Sequence, residues 1–129
     1  MKYLNPEQVL FIHARLIAET GGSHGVRDLG MLESAVARPH SSFEGKDMYP
    51  DLFIKAAALL DSLINNHPFI DGNKRTGITA AALFLRINGY KLIAENSELE
   101  TFTLDVVTTH PVLTELATWL RTHTTSITP

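Results

Sequence analysis

Residues 52–87 read LFIKAAALLDSLI, NN, HPFIDGNKR, TGITAAALFLRI. The first block, Leu52 to Ile64, and the last, Thr76 to Ile87, are apolar on most faces of a helix. In the last, Ile78, Ala81, Ala82 and Leu85 form one stripe, with Leu83, Phe84 and Ile87 beside it. Helices of this kind are buried ones, so the spacing predicts a central pair joined by the polar link Asn65 to Gly72. Pro50 and Asp51 open the first of the pair, and Asn88 with Gly89 ends the second.

The flanking sequence continues the helical pattern. Asn5, Pro6 and Gln8 spell a helix start with a capping box, and Val9, Leu10, Ile12, Leu16 and Ile17 keep helical spacing until Gly21 and Gly22. A second helix opens at Asp28 and closes before Pro39, with Met31, Leu32, Ala35 and Val36 as its apolar face. The stretch 41–49 reads as a surface loop or a short flap of extended chain. Tyr90 to Ile93 is a short extended piece. Ser97 with Glu100 reads as the capping box of a fifth helix, Pro111 opens a sixth that runs to about His123, and Thr124 to Pro129 reads as a frayed tail. The expectation is an all-α bundle of about six helices, with residues 1–129 forming one domain.

Composition narrows the function. Eleven Lys and Arg against fourteen Asp and Glu give a net charge of −3, which argues against direct nucleic-acid binding and against a polybasic membrane binder. The absence of cysteine excludes disulfides, thiolate metal sites and a cysteine nucleophile. The densest apolar run, Ile78 to Leu85, is far short of the ~20 residues a membrane-spanning helix needs. An acid at Glu7 precedes any apolar core of a signal peptide. A soluble, cytoplasmic protein is expected.

The link between the central helices breaks the local rules. With Asp71 as N-cap, the next helix begins Gly72, Asn73, Lys74, Arg75. A helix N-terminus carries roughly +0.5 charge, so adjacent cations there are unfavourable unless an anion sits on them. Free N–H groups, a flexible glycine and two cations together make a phosphate site. His67, with an ordinary pKa of about 6.5, suits a proton acceptor at neutral pH. Asp71 is a hard oxygen ligand of the kind that holds Mg²⁺ together with phosphates, and Phe69 reads as the loop's anchor in the core. Taken singly, Asp71 is a cap, His67 a turn histidine and Lys74–Arg75 a solvated face. Taken as a set, they are the parts of phosphoryl or nucleotidyl transfer, in which catalysis is mostly positioning and charge stabilisation.

The nine residues H-P-F-I-D-G-N-K-R resemble the signature of the Fic/Doc superfamily, and Gly25 to Ala35 is similar to a second block of that family. The resemblance covers roughly residues 5 to 120. It implies an all-α fold with this loop between two central helices. It also implies roles: His67 as base for a target hydroxyl, Asp71 on Mg²⁺, Gly72 and Asn73 in the anion-binding turn, Arg75 on phosphates. Lys74 stands where AMP-transferring Fic enzymes have glycine, and Ile78 where they carry a second arginine. Both features resemble the death-on-curing (Doc) branch, toxins of type II toxin–antitoxin modules. That branch implies ATP as phosphate donor, elongation factor Tu as target and arrest of translation. Pro68 is a Fic-like choice, and Ile70 and Gly72 stand where the archetypal Doc loop has Asn and Ala, which keeps AMP transfer as the alternative, beside a catalytically inactive binding module. The self-inhibitory Fic pattern (Ser or Thr, three residues, Glu, then Gly or Asn) is not met, because Glu44–Gly45 has His40 and Glu95–Asn96 has Lys91 at the required place. Regulation is then expected from an antitoxin binding in trans, through a segment that folds on binding.

Overall fold

The computed structural model describes residues 1–127. Among these, six α-helices and two short antiparallel strand pairs follow in the order α1 (Pro6–Thr20), α2 (Leu29–Ala37), β1 (Ser42–Phe43), β2 (Lys46–Asp47), α3 (Leu52–Asn65), α4 (Asn73–Ile87), β3 (Tyr90–Leu92), α5 (Asn96–Thr108), α6 (Leu113–Thr122) and β4 (Thr124–Ser126). A 3₁₀ turn, Arg38–His40, extends α2. The chain is all-α, as the periodicity predicts, and no described helix is long and apolar enough to cross a membrane.

Helices α3 and α4 form the centre. Ten residues of α3, from Phe53 to Ile64, are buried, against six of α4. Their close approach depends on small side chains: a Cβ placed on Gly77 would lie 2.8 Å from Ile64 Cγ1. Ala56, Ala57, Ala80 and Ala81 are completely buried nearby. One apolar cluster runs from Leu4 through α3 and α4 to Leu120, so the remaining helices pack around this pair. The helix starts at Asn5, Asp28 and Asp51 are capped by their own side chains.

The stretch 41–49 is a flap, the hairpin β1–β2. Two cations hold its stem to α3. Lys55, 2% exposed, donates to Asp47 Oδ2 at 2.6 Å and to the Pro39 carbonyl at 2.9 Å. Arg38 reaches Asp61 and Ser62, each at 2.9 Å, and the Tyr49 hydroxyl at 3.1 Å.

Several local expectations are corrected. Met31 is 41% exposed, because α2 turns only Leu32, Ala35 and Val36 inward. The capping box of α5 is Glu95 with Glu98, two residues before the pair read from the sequence, since the chain already turns helical at Asn96. Helix α6 starts at Leu113, with Val112 as N-cap. The tail is not frayed at 124–126, where β4 pairs with β3 in the register Tyr90↔Ser126, Leu92↔Thr124. Residues 128 and 129 lie outside the described residues.

Candidate active site

The loop between α3 and α4 is tied down on three sides. Phe69 is 1% exposed and anchors it in the core. The Asn73 side chain closes it like a clasp: Oδ1 accepts from the Phe69 N–H and Nδ2 donates to the Phe69 carbonyl, both at 3.0 Å. The segment before α2 lies alongside as a second clamp. There the N–H groups of Arg27 and Asp28 donate to the Pro68 carbonyl at 2.8 and 3.0 Å, and Ile70 N–H donates to the Gly25 carbonyl at 3.1 Å. Arg27 also donates from its side chain to the carbonyls of His67 (2.6 Å) and Asn66 (2.8 Å).

That grip bears on His67, which is exposed and has φ 48°. A left-handed conformation costs a non-glycine residue on the order of 1–3 kcal/mol and persists only where the surroundings impose it. The imidazole Nδ1 lies 3.5 Å from Asn73 Nδ2, a contact too long to dictate the ring's tautomer.

Asp71 does not cap α4. Gly72, at φ 80° and ψ 18°, is the N-cap, and no side chain caps this helix. The Asp71 carboxylate is instead occupied by two backbone donors, Ser23 N–H on Oδ2 at 3.0 Å and Gly72 N–H on Oδ1 at 2.8 Å. These bonds, Ser23 first, with smaller help from the charges of Arg75 and His13, hold its pKa below the usual carboxylate value. The fit is close: a Cβ on Gly22 would lie 2.5 Å from Asp71 Oδ2. With the Gly72 N–H turned to Asp71, the backbone N–H groups of Asn73, Lys74 and Arg75 are left without partners among the described residues. An uncapped, positively charged helix end of this kind attracts anions.

His67, Ile70, Asp71, Gly72, Asn73, Lys74 and Arg75 line one cleft of about 390 Å³, backed by Ile64 and Val107. All the sequence-predicted residues therefore surround one space except Phe69, which lies beneath it. Lys74 is exposed at the rim, with no partner among the described residues. The Arg75 guanidinium donates to Thr20 Oγ1 and, at 3.2 Å, to the Gly21 carbonyl. It thus meets the negative end of α1, which offsets its unfavourable place at the start of α4.

A family model described as the Fic/DOC family matches residues 3–85. The chain belongs to the Fic/DOC family. It is 31% identical over 121 residues, 94% of each chain, to "Protein kinase doc" of Escherichia phage P1. It is 53% identical over 94 residues, 73% of this chain and 70% of the relative, to "Toxin Doc" of Mycolicibacterium smegmatis.

In this Fic/DOC protein three contributors escaped the sequence reading. Ser23 orients Asp71, Arg27 holds His67, and His13 packs under the loop. Arg27 lies inside the second family-like block, which was the signal available. His13 sits in an ordinary amphipathic helix and gave none.

Proposed function

We propose that this chain is a Doc-type toxin that transfers the γ-phosphoryl group of ATP to a protein hydroxyl, with elongation factor Tu as the acceptor and arrest of translation as the outcome. The observation that carries this reading is the gathering of His67, Asp71, Lys74 and Arg75 around one cleft at an uncapped helix N-terminus. The likeness to a protein named as a kinase supports phosphate over AMP.

In this reading the acceptor hydroxyl approaches the exposed His67, whose ring takes its proton as the oxygen attacks the γ-phosphorus. The bond from that phosphorus to the bridging oxygen breaks and ADP leaves. The N–H groups of Asn73, Lys74 and Arg75 and the Lys74 ammonium carry the phosphate charge, the kind of preset donors that stabilise such transition states. Lys74 occupies space beside the turn, so the triphosphate enters with its terminal phosphate toward His67. Arg75 serves from the α1 side, either directly or by holding Thr20 and Gly21 against the loop.

The donor set fits a Mg²⁺ that arrives with its phosphates. Asp71 is a single carboxylate, and each of its oxygens keeps a lone pair beyond its N–H bond. When bound, such an ion neutralises phosphate charge. An antitoxin acting in trans supplies the control that the chain's own sequence lacks.

The test is the mass added to purified elongation factor Tu after incubation with ATP and Mg²⁺. About 80 Da supports phosphate transfer, about 329 Da replaces it with AMP transfer, and no change on any protein acceptor leaves a binding module.

A further inference from the structure

His13 of α1 is 4% exposed and faces the underside of the loop. Its ring lies parallel to Phe69, with centroids 3.8 Å apart and 5° between planes, and its Nε2 is 2.8 Å from the Asp71 carbonyl oxygen. A carbonyl only accepts, so Nε2 carries the proton and donates. In a trans peptide the C=O and N–H point in opposite directions. Holding the Asp71 oxygen on the His13 side therefore aims the Gly72 N–H the other way, onto Asp71 Oδ1.

Apart from the Gly72 N–H bond to Asp71 Oδ1, no backbone preference at Gly72 keeps this peptide in place. Rotating it would reverse the sign of φ at Gly72, and glycine accepts either sign about equally. The rotation would carry the Gly72 N–H off the Asp71 carboxylate and leave a carbonyl oxygen, a negative group, facing the anion-binding turn. We propose that His13 is a positioning residue that locks the Asp71–Gly72 peptide and, through the Gly72 N–H, the Asp71 carboxylate. The purpose assigned to the lock rests on the phosphate-transfer reading; the lock itself does not. Histidine suits the place because its flat ring stacks on Phe69 while its far nitrogen reaches the carbonyl. A Cβ on Gly72 would come 3.6 Å from His13 Cδ2, so ring and peptide are in direct contact.

Three variants test the lock. His13→Phe keeps the stack and removes the donor. His13→Gln places an amide N–H at the reach of Nε2, and His13→Asn places one at the reach of Nδ1. The readouts are the Gly72 amide peak and its hydrogen-exchange rate in the apo protein, and the affinity for ATP with Mg²⁺. In His13→Phe the Gly72 peak should move or broaden; its exchange should accelerate and ATP affinity should fall, these two each by roughly threefold to tenfold, the loss of one hydrogen bond. The peak positions of core amides such as Leu60 should be unaffected, and their exchange should accelerate by no more than the overall loss of stability. Gln should restore both readouts and Asn neither, and this pair decides the matter even if the Phe variant does not fold. An unmoved Gly72 peak, or equal rescue by Asn and Gln, overturns the lock. A moved peak with unchanged ATP affinity overturns the positioning role. A wild-type protein that binds no ATP overturns the phosphate reading and the positioning role together, and is distinguishable because the Gly72 readout needs no nucleotide.

Discussion

Replacing Arg27 with alanine should disable the site while sparing the fold. Arg27 spans from the segment before α2 to the carbonyls of Asn66 and His67, at 2.8 and 2.6 Å. It is exposed, so each charge-assisted bond is counted near the low end of its range, about 1 kcal/mol, or roughly 2 kcal/mol for both. The strain they oppose, His67 at φ 48°, is on the order of 1–3 kcal/mol. The two nearly balance, so removing the bonds frees His67 to relax toward ordinary backbone angles. Losing about 2 kcal/mol from that balance leaves roughly one molecule in thirty with the imidazole in place. The rest of the loop stays anchored by Phe69 and by the two Asn73 bonds, and the first turn of α4 is untouched. Arg27→Ala should therefore lower kcat about tenfold or more, leave KM for ATP within about twofold, and cost only a few degrees in Tm. Steady-state kinetics of the proposed phosphate transfer to elongation factor Tu and scanning calorimetry on the same preparation measure all three. Unchanged kcat would refute the reasoning, as would a Tm loss above about 10 °C, which would make Arg27 a residue of the fold.

His67→Ala should reduce transfer by about 10²–10⁴-fold and abolish growth arrest, with unchanged circular dichroism; full toxicity in a well-expressed variant would remove the enzymatic reading. Lys74→Gly should lose much of the transfer from γ-labelled ATP and gain some from α-labelled ATP, whereas α-label transferred by the unmutated protein would favour the AMP alternative. Asp47 is held below the usual carboxylate pKa, first by the hydrogen bond from Lys55, then by the Tyr49 N–H and the Lys55 charge. A depressed folded pKa contributes stability above about pH 4, which is lost as pH falls through the folded value. Asp47→Asn should therefore be less stable than wild type to urea at pH 7, and the gap should close below pH 4; a gap independent of pH would assign the effect to lost packing.

What the sequence determined by itself is whatever depends on near neighbours. The apolar faces of Leu52 to Ile64 and Thr76 to Ile87 specify a buried pair, since no other environment suits helices without a polar side. Asn5 with Gln8, Asp28 and Asp51 cap their helices because each bond spans at most three residues. The candidate site's membership was legible for the same reason: His67 through Arg75 are contiguous, so one loop delivers them together wherever the rest of the chain goes.

Tertiary structure decided which partner each group takes. Asp71 has the propensity of an N-cap, yet its carboxylate turns to Ser23, 48 residues upstream. Arg75 looked like an uncompensated cation until α1 ended against it, and Thr124 to Ser126 looked frayed until β3 lay alongside. The strained His67 depends on Arg27, 40 residues away, and the Asp71 carbonyl on His13, 58 away. A donor or acceptor is satisfied by whichever group the fold brings within about 3 Å. Local propensity can rank only the candidates within a turn of helix, and distant competitors enter when α1 and the segment before α2 pack against the loop.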